Sequence, residues 1–541
     1  MINMKRNIIL LITSLFICSF FSELKSQEMT PTDSAIIWHT SKFRTMLETA
    51  VKHHKDSVDV KKISEAGYSA MLKTLDPYSD YLNAEVYQNF KDNYSKTVRT
   101  VGISPVSIND TIFVLYVTPE SPADSAGIVA GDKIIYLNGE SAIGMDSKTA
   151  GNELSVDDTT VQSINLVIKR DNITGLLELF LPPKELPIES VTTYFLLPGT
   201  EIGYIKSKRF SKTADSLIRI ALIELKEMGA KSIMFDIRGH QGGQVDQTAE
   251  IVDEFVTEGK TITYIEGKNN DYYQRYISEP NHVAEDMPLI VLVDKNSMSA
   301  AEIFAGAIQD LDRGVLIGEV TYGKGMAQKS WSFRDGSAFR LTIGDYYTPS
   351  GRNIQKPQND EKAEIDPALK LQLEQSKVED IEKIIRKFGG KTKMPVFETE
   401  NGRVVLGGGG IFPDYFEEQD TTTLLTTVLK QKNIIIEASF QFLTANKEEI
   451  IDEYGTNFAR FNEEFIISEQ TLRHMEIVSR QKKIWNEEMF QTDMDYLKNY
   501  YKALIAYYIW GNDGFYLAES NIDRVIRKGI EYMPKTVSIT K

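Results

Sequence analysis

The sequence predicts a multidomain α+β protein with an α/β sheet at its centre, and three observations carry that prediction. The chain has 541 residues, whereas single hydrophobic cores rarely grow beyond about 250–300 residues. Between Glu201 and Tyr347, apolar strand-like runs alternate with helical patterns, as in a sheet covered by helices. A β-rich segment precedes this region and an aromatic-rich helical segment follows it. Five segments result: 1–26 as a signal peptide, 27–95 as an N-terminal helical region, 96–185 as a small β domain, 186–420 as the α/β core, and 421–541 as a C-terminal helical domain.

The first segment opens with Lys5 and Arg6, followed by an almost wholly apolar run from Asn7 to Phe21. That run is shorter than the ~20 residues a membrane-spanning helix needs, which favours a cleaved export signal with Leu24 and Ser26 flanking the cut. An uncleaved anchor at residues 7–21 is the alternative, and membrane contact is expected only in that case. The one cysteine, Cys18, lies inside this segment. Cleavage after it leaves no thiol for a disulfide, a zinc site or a nucleophile. Ile17 is bulky where a lipid-attachment signal wants a small residue, which argues against lipidation of Cys18.

From Asp33 to about Tyr94 the pattern is helical, with Ile36, Ile37, Phe43, Met46, Leu47 and Val51 at three- and four-residue spacings. Pro77, within Leu75-Asp-Pro-Tyr-Ser-Asp-Tyr-Leu82, interrupts it. In the β domain, Thr111–Val117 and Ser163–Lys169 carry the β-branched and aromatic enrichment of strands. In the core the expected order is strand Ile202–Ile205, helix Ala214–Met228, strand Ser232–Ile237 and helix Val245–Val256. Strand Leu289–Val293, helix Ala300–Leu311, strand Gly314–Gly318 and strand Ala338–Tyr347 follow. A charged stretch after Gln355 holds a helix near Val378–Phe388, and Arg403–Pro413 is a return segment. In the last segment Tyr496, Tyr500, Tyr501, Tyr507 and Tyr508 recur at helical spacing, which marks core more often than a binding face.

The net charge of −16 argues against a nucleic-acid partner, which needs a surplus of Lys and Arg. Chemistry concentrates in Asp294-Lys-Asn-Ser-Met-Ser-Ala-Ala-Glu302 and in Tyr322-Gly-Lys-Gly325. A serine hydroxyl is a poor nucleophile until a base stands beside it. Lysine serves as that base when burial leaves its amine neutral. Ser299 falls where a helix begins, so the N–H of Ala300 is placed to face an oxyanion. The competing reading is structural: Ser299-Ala-Ala-Glu302 is also a helix capping box. A second glycine loop, Arg238-Gly-His-Gln-Gly-Gly-Gln244, offers Gly242 or Gly243 as the other oxyanion donor. His240 allows a Ser-His-Asp triad with Asp236 or Asp310, although a surface loop residue is the favoured reading of it. The run ending at Gly325 lacks the Ser or Thr that a phosphate-binding loop needs, so a nucleotide site is rejected. No cofactor or metal is expected.

Ser121-Pro-Ala-Asp-Ser-Ala-Gly-Ile-Val-Ala-Gly-Asp-Lys-Ile-Ile-Tyr-Leu-Asn-Gly139 resembles the signature of the PDZ fold. That resemblance implies peptide-tail binding by strand addition, with Val101, Gly102 and Ile103 in the loop that holds the terminal carboxylate and a hairpin turn at Asn138-Gly139. Leu75-Asp-Pro-Tyr-Ser79, the PDZ signature, Asp236–Gly243, Ser297–Ile303, Gly323-Lys-Gly325 with Gln328, and Tyr347–Gln355 stand in the order of the C-terminal processing peptidases, or tail-specific proteases. The chain is similar to that family from about Met71 to Gln355. The resemblance implies a Clp/crotonase-like core, Ser299 as nucleophile, Lys324 as general base and Gln328 as the residue orienting the lysine. Asp310 matches an acidic position of the family.

The chain departs from the family pattern at Met298, at His240-Gln241, and around Gly151–Val161, where a further PDZ motif is not recognisable. The implied function is an exported serine endopeptidase, periplasmic or in the cell envelope. It would act through an acyl-enzyme on protein or peptide substrates with free apolar C-termini. A homo-oligomer is compatible with the sequence. The alternative is a catalytically inactive PDZ-containing peptide-binding or scaffold protein.

Overall fold

The computed structural model describes residues 30–539 apart from 93, 94, 96, 157–159, 172, 269–271, 281 and 357–394. The expected signal segment and the helix expected near Val378–Phe388 lie outside the described residues. The chain divides into two compact units, Met1–Tyr81 and Leu82–Lys541.

In the first unit, helix α1 (Pro31–His53) starts at a reciprocal cap: Thr30 Oγ1 accepts the Asp33 N–H and the Asp33 carboxylate accepts the Thr30 N–H, both at 3.1 Å. Extended backbone at His54 ends it, a break not expected from the sequence pattern. Asp59 then caps α2 (Val60–Lys73).

The second unit begins with α3 (Ala84–Asp92) and β1 (Thr97–Thr100). The small β domain follows as β2 (Ile103–Ile108), β3 (Thr111–Val117), α4 (Pro122–Ser125), β4 (Lys133–Leu137), α5 (Ser147–Glu153), β5 (Ile164–Lys169) and β6 (Leu177–Leu181). Strand β7 (Lys184–Pro187) returns to pair with β1, closing the domain at its neck. Strands β2 to β6 lie in the order β2-β3-β4-β5-β6, so β2 is an edge. Asn109 and Asp110 join β2 to β3 with φ of 47° and 60°, the left-handed pair that a two-residue hairpin turn requires. Asn138-Gly139 makes the turn expected of it, with φ of 51° and 83°.

The core contributes β8 (Val191–Leu196), β9 (Ile202–Ser207), α6 (Ala214–Glu227), β10 (Ser232–Asp236), α7 (Val245–Asp253), β11 (Thr261–Gly267), β12 (Gln274–Ile277), β13 (Leu289–Val293), α8 (Ala300–Asp310), β14 (Val315–Gly318), β15 (Met326–Ser332), β16 (Ala338–Tyr347) and β17 (Tyr415–Phe416). Six of these strands form one sheet in the order β8-β9-β10-β13-β14-β17, parallel except at β8. Every residue of β9, β10, β13 and β14 is buried, as parallel strands covered on both faces must be. Ala214, Ile218, Leu222, Ile251 and Phe304 of α6, α7 and α8 pack on one face. Leu517, Val525, Ile526 and Met533 from the C-terminal helices pack on the other.

A second, antiparallel sheet joins β15, β16, β11 and β12. Only β16 of these was expected from sequence. The exposed residues of β12 and β15 dilute the apolar alternation that identifies a strand.

The C-terminal segment folds as α9 (Leu424–Gln431), α10 (Ile434–Tyr454), α11 (Phe458–Glu464), α12 (Arg473–Gln481), α13 (Glu487–Thr492), α14 (Met494–Ser520) and α15 (Arg524–Ile539). Tyr501 and Tyr508 are core residues, as the aromatic spacing implied. Helix α14 kinks at Gly511, φ 67°. Among the described residues no helix is long and apolar enough to cross a membrane.

Candidate active site

Strand β13 ends at Val293 in the middle of the sheet, and a six-residue loop carries the chain to α8. Side chains inside that loop fix its path. The Asp294 carboxylate accepts the N–H groups of Gly239 (2.9 Å) and Asn296 (3.0 Å). The buried Ser297 hydroxyl accepts the Asp294 N–H and donates to the Ile237 carbonyl, each at 2.9 Å. The loop is thereby stitched to the end of β10, and Ser299 emerges half-buried at the start of α8 with φ 57° and ψ −115°. A non-glycine residue held at positive φ stores about 1–3 kcal/mol of strain, and such residues concentrate at functional sites. Ala300 is the first helical residue, so its N–H has no acceptor within the helix.

What holds Ser299 there is Glu302, one turn on and fully buried. Its Oε2 accepts the Ser299 N–H at 2.9 Å and the Lys324 N–H at 2.8 Å. Its Oε1 accepts the Thr321 hydroxyl and the Gly323 N–H, each at 2.6 Å. Four donors converging on one buried carboxylate offset the cost of burying it. Burial pushes its pKa up, and the four bonds act against that. One oxygen atom therefore ties the main chain of the serine to the main chain of the lysine. A second tie runs from the Tyr322 N–H to the Ser297 carbonyl at 3.0 Å.

Lys324 is half-buried between Gly323 and Gly325. Burial lowers its pKa from the ordinary lysine value, and the Arg340 guanidinium on β16 lowers it further; the Glu302 charge opposes both. The direction is the one a basic amine at neutral pH requires. Gln328 is the third residue of β15, half-buried and in register with Thr342 of β16.

The glycine loop lies directly on the serine. A side chain at Gly242, φ 95°, would put its Cβ 3.1 Å from Ser299 Cβ and 3.3 Å from the Met298 carbonyl oxygen. A Cβ at Gly243 would fall 2.3 Å from the Phe210 carbonyl oxygen, closer still. Met298 donates its N–H to the His240 carbonyl at 3.0 Å, which locks the two loops together.

His240 is fully buried, contrary to the surface position favoured from sequence. Its ring packs on Phe210 with centroids 4.1 Å apart, and its Nδ1 accepts the Gly242 N–H at 3.1 Å. Burial, with Lys206 and Arg209 nearby, pushes its pKa down to about 3. Among the described residues no carboxylate reaches Nε2. Asp236 is committed to Tyr204, Lys206 and Arg238, and Asp310 to Ser350 and Arg352. The triad that the sequence left open is not assembled.

In the small β domain, Gly102 has φ 82°, and a Cβ there would lie 2.3 Å from Ser121 Cβ, so only glycine fits. Its N–H meets Thr100 Oγ1 at 3.3 Å. Val101 is fully buried and donates its N–H to the Leu154 carbonyl, which removes it as a carboxylate donor. Ile103 opens the edge strand.

Family models place these features. One for the PDZ domain matches residues 93–168, and one for peptidase family S41 matches residues 201–367. The carboxy-terminal processing protease CtpB of Bacillus subtilis is 31% identical over 318 residues. Residues 201–367 are thus similar to peptidase family S41. The CtpB match covers 58% of this chain and 65% of that relative's length, a little under two thirds. The carboxy-terminal-processing protease of Bartonella bacilliformis is 27% identical over 356 residues, 65% of this chain and 81% of that one. Among solved structures, a photosystem II D1 C-terminal processing protease matches at 26% identity over 57% of this chain and 82% of that chain, with a TM-score of 0.34. Residues 425–511 match a family of unknown function (DUF8443).

Within this core, two contributions were not visible in the sequence: the wider reach of Glu302 and the charge of Arg340. The capping-box spacing Ser299-x-x-Glu302 exposed the first bond of Glu302. The other three lie 19 to 22 residues further on, beyond any local pattern. Arg340 sits on a strand with no motif around it.

Proposed function

We propose that this chain is a serine endopeptidase acting through a Ser299–Lys324 dyad and an acyl-enzyme. Neutral Lys324 Nζ takes the Ser299 Oγ proton as the oxygen attacks the scissile carbonyl, and Gln328 orients the amine. The carbonyl oxygen becomes an oxyanion facing the Ala300 N–H and the glycine loop at Gly242 and Gly243. The lysine proton passes to the leaving amine, and water attacks the ester with the same base. The Gly242 N–H is held by His240, so its donation to the oxyanion exchanges one acceptor for another.

The observation that carries this reading is the Glu302 bridge, which suspends both dyad residues from one buried carboxylate. Its existence is hard to explain for a scaffold, which has no use for a strained serine beside a depressed lysine. Substrates are exported proteins recognised by their C-terminal tails through the PDZ domain, and the basic-then-apolar start of the chain supports action in the cell envelope.

Intact-mass detection of a serine-directed fluorophosphonate adduct tests the nucleophile. The wild type gains one adduct, and Ser299→Ala and Lys324→Ala gain none while remaining folded. An adduct on folded Ser299→Ala transfers the nucleophile elsewhere. A folded wild type that neither labels nor cleaves peptides is the scaffold instead.

A further inference from the structure

Strand addition to a sheet edge depends on the outward-facing N–H and C=O groups of alternate residues. In β2 their parity is fixed by two bonds. The Gly102 carbonyl accepts the Thr118 N–H at 2.9 Å, so Gly102 faces β3 and Ile103, Pro105 and Ser107 face outward. The Ser107 N–H agrees, because it points away from β3 to Ser147 Oγ on α5 at 2.8 Å.

Of those three outward positions, one lacks its donor and another is closed. Pro105 has no N–H to give. Ser107 has its N–H on Ser147, and its carbonyl accepts Asn433 Nδ2 at 2.9 Å. Asn433 belongs to the C-terminal helical domain, where it stands ahead of α10 with φ 54°. That domain also seats the strand's other face: Val106 and Ile108 are buried in one apolar cluster with Leu425, Leu429, Ile434 and Ile435. Helix α14 adds Tyr507, packed against Tyr116 with ring centroids 5.2 Å apart.

We propose that this PDZ domain reads only the end of a peptide tail, its free carboxylate and last residue at Ile103, the first outward position of the edge, and that the C-terminal helical domain ends the reading by occupying Ser107 through Asn433. The partner is a chain terminus with one apolar residue, and upstream sequence is not selected by this edge. The inference rests on tail recognition through this domain, as in the function proposed above. The region matching DUF8443 then acquires a role, that of fixing how much of a tail is read.

The test uses full-length Ser299→Ala protein, which binds without cleaving, and fluorescent peptides with two or six residues of apolar tail. The free-acid peptides should bind at least tenfold more tightly than their C-terminal amides, and the two-residue and six-residue acids within about threefold of each other. Asn433→Gly combined with Pro105→Ala, which keeps the left-handed backbone at 433 and restores the missing donor, should make the six-residue acid at least tenfold tighter than the two-residue one. A tenfold preference for the longer acid before these changes overturns the proposal and leaves tail recognition standing. Equal binding of acids and amides overturns tail recognition itself. Unchanged length dependence in the folded double variant removes Asn433 and Pro105 as its cause.

Discussion

Replacing Glu302 by glutamine is the most informative single perturbation of this site. The carboxylate receives four donors, two on each oxygen. Glutamine presents an NH2 group where one oxygen was, and whichever way it turns a main-chain N–H meets another donor. The least costly orientation points the NH2 towards Thr321, whose hydroxyl can rotate to accept, and abandons Gly323. Losing a bond to a charged acceptor costs about 1.5–3 kcal/mol, and the stranded buried donor adds about 1–3 kcal/mol. A total near 3–5 kcal/mol corresponds to a fall in Tm of roughly 6–10 °C for a domain of this size.

The catalytic effect is separable from the stability effect. Slackening the link between the serine and lysine loops displaces the dyad, and a shift of about 1 Å costs on the order of 100-fold. The Glu302 charge raises the lysine pKa, so removing it lets Lys324 lose its proton at lower pH. In the proposed mechanism the active form is the neutral amine. The acid limb of kcat/KM should therefore move to lower pH while the plateau drops. Fluorogenic peptide cleavage between about pH 6 and pH 10, well below the measured Tm, reads both. A plateau within about threefold of wild type in a folded variant, or an acid limb that moves up, refutes the bridge as the device that positions the dyad.

Arg340→Met removes the cation that helps depress Lys324, so the acid limb of the pH–rate profile should move up and activity should return at higher pH. Gly242→Ala forces a Cβ against Ser299 at φ 95°; peptide cleavage should fall by about 100-fold or more, checked beside a thermal melt. His240→Ala empties a packed site and should cost about 2–3 kcal/mol, with activity largely kept. No inflection near pH 6.5 should belong to His240, because its pKa is pushed down to about 3. Ser297→Ala should lower Tm by removing bonds at both ends of the loop, a loss of about 1–3 kcal/mol, and should still form the fluorophosphonate adduct.

The parallel sheet was legible because its strands are mostly apolar and short glycine or polar runs punctuate them. Leu289–Val293 is such a run, and it delivered the serine to a helix start from sequence alone. Strands with one wet face carry a weaker pattern, which is why Gln274–Ile277 escaped notice. His240 misled because its neighbours are glycines and glutamine; only the fold brings Phe210, from another loop, over its ring. The serine and lysine were visible as types and spacing. The carboxylate between them combines a local bond at three residues with remote ones at 19 to 22, and sequence displays only the first.

The outer face of the small β domain bears on how this chain can be dissected. Val106, Ile108, Phe113 and Leu115 all lie under the C-terminal helices, whereas a free-standing β domain would turn those side chains to water. Excising residues 93–185 as a recombinant fragment would lay bare an apolar patch beside an edge strand, a combination that promotes aggregation. Ligand studies of the isolated fragment would report self-association. Soluble fragments need polar replacements at Val106, Ile108 and Phe113, and grafting this domain onto another protein would require transplanting its helical saddle as well.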